Sequence, residues 1–284
     1  MNNEAIINVV ICYNNADEVI EYYKEILSLS EGSKVGYVVV INSISESESN
    51  CLCSFSKENQ HVYIYNPGKN LGYMNGLLYG YRSYREQTGL CPQFVIMSNT
   101  DIAFQDKMFL VNLSEKKYDN NVSCIGPSIL VSELNSFDNP VSDSRYTAKQ
   151  LKKWIKIHKT PILRELYVTA AFIKPKIIKR KKDLVSREVY ELHGCFFVLT
   201  YEFAEWLKEK TFGVLLYSEE TFVAENAYRR HMKGYYDASL EIIHKEHSTT
   251  RKLKPTKRAY YISESLQWIL DSYFIDNDIY NLEK

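Results

Sequence analysis

The chain has 284 residues, enough for one large buried core or two small ones. Its 45% hydrophobic and 25% charged residues exclude a disordered or collagen-like chain. A formal net charge of zero excludes a globally basic nucleic-acid binder, and no apolar run approaches the ~18–20 residues that would cross a bilayer.

Ile6–Cys12 is a continuous apolar run that reads as a buried strand ending in Tyr13-Asn14-Asn15. Asp17–Leu29 follows with Val19, Tyr22, Tyr23, Ile26 and Leu27 at helical spacing, capped by Asn15 or Asp17. Tyr37–Ile41 reads as a second strand ending in Asn42-Ser43, followed by a polar Ser/Glu-rich stretch to Asn50. Val62–Tyr65 is a short third strand. The turn-rich segment Asn66 to Tyr73 leads into a helix over 74–85. Phe94–Met97 is a fourth strand, and Ser98-Asn99-Thr100-Asp101 sits at its carboxyl end. This order predicts an α/β fold with a mostly parallel, Rossmann-like central sheet flanked by helices.

Ligands of open α/β sheets bind beyond the carboxyl ends of the strands. Three of these ends carry similar polar residues: Tyr13-Asn14, Asn42-Ser43 and Asn99-Thr100-Asp101. Asp101 can anchor a hard cation there, or it can simply turn the chain.

The second half is less regular. From Lys149 to Lys182 there are twelve Lys or Arg against Glu165 alone, a local excess of eleven positive charges. Within it, Gln150–Lys159 mixes lysines with Leu151, Trp154, Ile155 and Ile157. It reads either as a basic helix on an anionic membrane or as a solvated face. Glu191–Thr200 is predicted as a strand, Tyr201–Lys208 as a short helix, and Glu219–Lys233 as a helix with its acids in the first turn. Glu219 and Glu220 should diverge by about 100° on that helix. Leu240–Ile243 reads as a strand closed by His244, with His247, Arg251 and Lys252 beyond it. Thr256–Phe274 reads as an amphipathic helix that packs on the core; a second protomer or a membrane is its other candidate partner. The six cysteines are scattered, which predicts reduced, buried thiols. Cys51-x-Cys53 is a weak metal pattern without a second pair. The N-terminus shows no basic, then apolar, leader, so a cytoplasmic location is expected.

Six segments in order resemble family 2 glycosyltransferases of the GT-A fold, the type found in bacterial capsule and O-antigen synthesis. They are the IINVVICYNN opening, Asn70-Leu71-Gly72-Tyr73-Met74-Asn75-Gly76, Ser98-Asn99-Thr100-Asp101, Gly194–Leu199, Tyr217–Glu220 with Arg229 and Gly234-Tyr235, and Ile242-Ile243-His244. The resemblance implies a GT-A domain over 1–250. Residues 1–126 would form its nucleotide-sugar-binding half, 127–190 a basic variable insert, 191–250 the acceptor half, and 251–284 a helical extension. It implies nucleotide-sugar contacts from Cys12, Tyr13, Asn14, Asn42, Asn70, Gly72, Tyr73, Asn99 and Thr100. It implies a divalent metal, Mg2+ or Mn2+, at Asp101 and His244, and an inverting mechanism with Glu220 as general base beside Glu219. The implied partners are a nucleotide-diphosphate sugar, UDP or dTDP before GDP, and a saccharide or polyprenyl-diphosphate-linked acceptor. Peripheral membrane contact through 149–182 and a homodimer are further expectations, and nucleic acid is not. Ile41 departs from the family, which often has a base-contacting Asp there. A nucleotidyltransferase is the rival enzyme, although Tyr13–Asp17 has neither the glycine nor the basic residue of its phosphate loop. A non-catalytic nucleotide-sugar-binding module is the rival from another class.

Overall fold

The computed structural model describes residues 4–43, 45–167, 169, 179–245 and 254–275. The first half builds as its apolar pattern dictates. Strand β1 (Ile6–Cys12) is followed by α1 (Ala16–Leu27), β2 (Gly36–Ile41), α2 (Glu46–Glu58), β3 (Val62–Tyr65), α3 (Tyr73–Thr88) and β4 (Phe94–Ser98). These four strands pair in parallel in the order β3-β2-β1-β4. Successive side chains of a strand face opposite sides of the sheet. Accordingly Ile7 and Val9 join the core under α3, while Ile6, Val10 and Cys12 join the core under α1. Gly80 lets α3 close on the sheet, since a Cβ there would lie 2.6 Å from Val40.

The order then changes. β5 (Ile102–Ala103), α4 (Phe109–Glu115), β6 (Val122–Val131) and β7 (Ser136–Phe137) lead to α5 (Ala148–Lys159) and a helical turn over 161–167, α6. β8 (Arg187–Val189), β9 (Phe196–Thr200), α7 (Tyr201–Leu207), α8 (Glu219–Arg229), β10 (Lys233–His244) and α9 (Pro255–Ile269) complete the chain, with a π-helical turn over Leu270–Ile275. β9 enters antiparallel between β4 and β6, and β10 runs parallel to β6. The sheet is therefore mixed, with its parallel character concentrated in β1–β4 and in the β6–β10 pair. This polarity positions the site. The ends of β1, β2, β4 and β10 and the start of β9 all reach one edge.

Four local expectations are corrected. The Ser/Glu-rich stretch to Asn50, read as polar, opens the helix Glu46–Glu58, with Ser45 accepting from Glu48 N at its start. The strand expected over 191–200 begins only at Phe196, and the helix expected to Lys233 stops at Arg229. Of the thiols, Cys12, Cys124 and Cys195 are buried, whereas Cys51, Cys53 and Cys91 are exposed; all six are free. The packing expectation for the last helix holds: Leu266, Ile269, Leu270, Tyr273 and Phe274 lie in the core.

Candidate active site

Asp101 and His244 are far apart in sequence but adjacent in space, because β5 pairs antiparallel with the end of β10 and sets His244 opposite Ile102. The Asp101 Oδ1–His244 Nε2 distance is 3.3 Å, and both residues are buried. Desolvation opposes charge on His244, but the Cys195 thiol and the Asp101 carboxylate outweigh it and push the imidazole up to about 11. The antiparallel start of β9 delivers the next residues. Asn99 N donates to Cys195 O at 2.9 Å, Cys195 N donates to His193 Nδ1 at 3.1 Å, and the His193 and His244 rings lie 5.9 Å apart.

A divalent ion fits this pair in donor chemistry once it displaces the imidazole proton, as metal binding to histidine does. Two adjacent ligands of one octahedral ion, each at about 2.1 Å, lie about 3 Å apart, close to the observed O–N spacing. Among the described residues no group of three or more His, Cys, Asp or Glu is arranged to hold a metal. An ion here would thus take most of its coordination from water and from substrate oxygens, as Mg2+ and its relatives do at phosphates. His247, Arg251 and Lys252 lie outside the described residues.

The glutamate pair approaches from α8. The turn before it is strained: Tyr217 (φ 70°) and Ser218 (φ 63°) are consecutive non-glycine residues in the left-handed region. The turn is held by Tyr217 N donating to Glu219 Oε1 at 2.9 Å and by a Ser218–Ser265 hydroxyl contact to α9 at 2.9 Å. The two carboxylates diverge as their helical spacing requires. Glu220 Oε1 accepts from Gly194 N at 3.1 Å, at the start of β9. Burial, with the charge of Glu220 beside it, pushes Glu219 up to about 8. Tyr73 connects the two groups: its hydroxyl donates to Gly194 O at 3.3 Å, and Asp101, Glu219 and Glu220 all act on it electrostatically.

The remaining predicted contacts divide into rim and scaffold. Tyr13 and Asn14 are exposed at the end of β1. Thr100 Oγ1 accepts from Asn15 Nδ2 at 3.2 Å, which ties the β1 end to the β4 end. Asn42 is buried, and its amide serves the loop before α3. Its Nδ2 donates to Gly72 O at 2.9 Å and Asn70 Oδ1 at 3.1 Å, while Oδ1 accepts from Leu71 N at 2.8 Å. Asn70 Oδ1 also accepts from Gly72 N. Gly72 (φ 80°) is needed there, since a Cβ would lie 2.5 Å from Leu215 O.

Three acidic or basic groups at the site escaped sequence reasoning. Glu48, on α2, accepts from Cys12 Sγ (3.3 Å), Asn14 N (3.0 Å), Ala16 N (3.1 Å) and Ser43 Oγ (2.5 Å). Partial burial would raise its carboxyl, but these bonds hold it below the usual range. The Ser45-x-x-Glu48 spacing was the available signal, a helix-start pattern. Glu191 accepts from Thr221 Oγ1 at 2.6 Å and from the Tyr146 hydroxyl, and burial lifts it to about 7. His193 had no signal beyond its place two residues before Cys195.

No protein-family model matches this sequence, and no curated protein matches it. In three dimensions it is similar to the mannosyltransferase PcManGT of Pyrobaculum calidifontis, solved with GDP-Man and Mn2+. The TM-score is 0.53 and the identity 11%, over 94% of this chain and 72% of that one. It is also similar to GalNAc-T7, solved with UDP, GalNAc and Mn2+, with a TM-score of 0.55 and 13% identity over 90% of this chain and 47% of that one. The chain thus spans about half the length of GalNAc-T7. At these identities the likeness defines the fold, a central sheet flanked by helices of the GT-A glycosyltransferase type.

Proposed function

We propose that this protein is an inverting, metal-assisted glycosyltransferase of the family 2 type. It would move a hexosyl or deoxyhexosyl group from a nucleotide-diphosphate sugar, UDP or dTDP before GDP, to a saccharide or lipid-linked acceptor in cell-surface polysaccharide synthesis. The observation that carries this reading is the Asp101–His244 contact at the edge of a GT-A-type sheet, where Glu220 bonds to Gly194 N before β9 and Tyr73 feels Asp101 and both glutamates.

Asp101 and His244 would hold the ion, Mg2+ or Mn2+, which supplies Lewis-acid neutralisation of the leaving diphosphate when bound. Tyr13, Asn14, Asn99 and Thr100 form the donor rim, and Asn42, Asn70, Gly72 and Tyr73 shape the wall beside it. The acceptor hydroxyl attacks the anomeric carbon, the bond to the diphosphate oxygen breaks, and one direct displacement inverts the centre. Glu220 takes the hydroxyl proton. The pair divides its roles by what each carboxyl touches: Glu219 accepts from Tyr217 N and supports the turn, while Glu220, bonded to Gly194 N beside β9, works as the base.

The location that fits this role is the cytoplasm, at the inner face of the membrane that carries the acceptor. No described helix is long and apolar enough to cross a membrane. A homodimer remains part of the proposal, tested by solution mass. The experiment for the activity is release of nucleoside diphosphate from a panel of nucleotide sugars with Mn2+. Release that requires Asp101 supports transfer. Nucleotide binding without release would support the binding-module reading.

A further inference from the structure

The basic insert does not present the face its sequence suggests. In α5 the apolar residues Leu151 and Ile155 are buried against the core beside α9, and Trp154 packs edge-on to Tyr146 at 4.9 Å. The face expected to meet lipid is therefore used inside the protein. Lys149, Lys152, Lys153, Lys156 and Lys159 are left exposed on a helix with no acid, and none of them forms an ion pair among the described residues.

Exposed apolar side chains appear one turn later. Arg164 N donates to Thr160 O at 2.9 Å as α6 begins, and the His158 and Tyr167 rings meet at 5.4 Å, folding α6 back against the end of α5. On α6, Ile162 is 74% exposed and Leu166 65%. Their i, i+4 spacing puts them on one face. A groove of about 470 Å³ opens between α5 and α9 beside this corner. Lys152, Lys156 and Lys159 rim it, over Ile155 and Leu270. Lysine ammonium groups above an apolar floor match a phosphate attached to a hydrocarbon chain. Further along the insert, Lys182 pairs with Glu241 and Arg180 bonds to Ser136 Oγ and Asp138 O. Those two residues serve the fold, whereas the lysines of α5 form no ion pair among the described residues.

We propose that α5 and α6 form an interfacial membrane anchor, in which Ile162 and Leu166 enter an anionic bilayer while Lys152, Lys156 and Lys159 take the lipid phosphates. It deepens the membrane-surface location proposed above and rests on it only for place, since lipid binding does not require glycosyl transfer.

The test is co-sedimentation of the full chain with vesicles of phosphatidylcholine alone or mixed with phosphatidylglycerol. Nucleoside diphosphate release is measured in parallel on the same samples. Binding is expected only to the mixed vesicles and should weaken with salt. It should fall roughly fivefold per lysine in K152Q and K156Q, and tenfold or more in the double variant I162S/L166S. These side chains are exposed, so the variants should keep the wild-type Tm and donor turnover. Failure of the wild type to bind mixed vesicles, or unchanged binding by I162S/L166S, overturns the anchor. Loss of donor turnover in the wild type would instead count against the glycosyltransferase reading and leave the lipid result standing.

Discussion

The Asp101 carboxylate lies 3.3 Å from the His244 imidazole, and the sheet enforces that contact through the Ile102–His244 register of β5 and β10. Asp101 directly precedes β5, and its carbonyl accepts from Lys245 N at 2.9 Å, so backbone bonds on both sides of the contact hold the two side chains together. Asp101→Ala should abolish transfer and remove the metal-dependent part of nucleoside diphosphate binding. His244→Ala should weaken metal-dependent binding about 10–100-fold, in the range seen when a metal's supporting ligands are removed. Calorimetric titration of UDP with and without Mn2+ reads both effects.

The glutamates should separate by role. Glu220→Gln is expected to lower kcat on the order of 10²-fold or more, as loss of a general base does, with donor affinity retained. Glu219→Gln should retain most of the activity. The opposite pattern would reverse the two assignments.

Glu219 also predicts a pH dependence of stability. A carboxyl raised to about 8 in the fold and near its ordinary value when unfolded binds more protons in the native state between those limits. Stability therefore falls as pH rises from about 5 to 8. Glu219→Gln keeps an acceptor for Tyr217 N and has no proton to lose. Its Tm should match the wild type near pH 5 and exceed it near pH 8.

The wall before α3 should respond to substitution as scaffold. Asn42→Ala leaves Leu71 N and Gly72 O without their buried partner, at about 1–3 kcal/mol. Gly72→Ala forces a side chain into a left-handed residue against Leu215 O, at a cost of about 2–4 kcal/mol. Chemical denaturation measures both, and donor KM should rise in each.

Glu48→Gln should loosen the Tyr13–Asn14 loop, because an amide cannot accept the four bonds that the carboxylate takes from Cys12, Asn14, Ala16 and Ser43. Donor KM should rise while kcat changes little. Equal losses in both would place Glu48 nearer the reacting atoms.

β1 to β4, α1 and α3 were legible because a strand buried on both faces is a continuous apolar run and an amphipathic helix is periodic. The convergence of Asp101 with His244 was legible only through the resemblance, since no local pattern announces that β10 runs parallel to β6. α2 was missed because Leu52 is its only buried residue, so it has no apolar stripe to read. The hydrogen bonds that Asn42 makes to the loop before α3 were illegible for a different reason. A polar residue at a strand end looks like a ligand contact until the partner loop is in view. In α5 the periodicity correctly gave a helix, but it could not say that Leu151 and Ile155 face α9 rather than lipid.

The most direct test of the central claim is nucleoside diphosphate release from UDP-, dTDP- and GDP-sugars with Mn2+, comparing the wild type, the wild type with EDTA, and Asp101→Ala. The expected result is release by the wild type with at least one donor, and none with EDTA or in the variant. Wild-type rates in Asp101→Ala, or no release and no nucleotide binding with any donor, would contradict it.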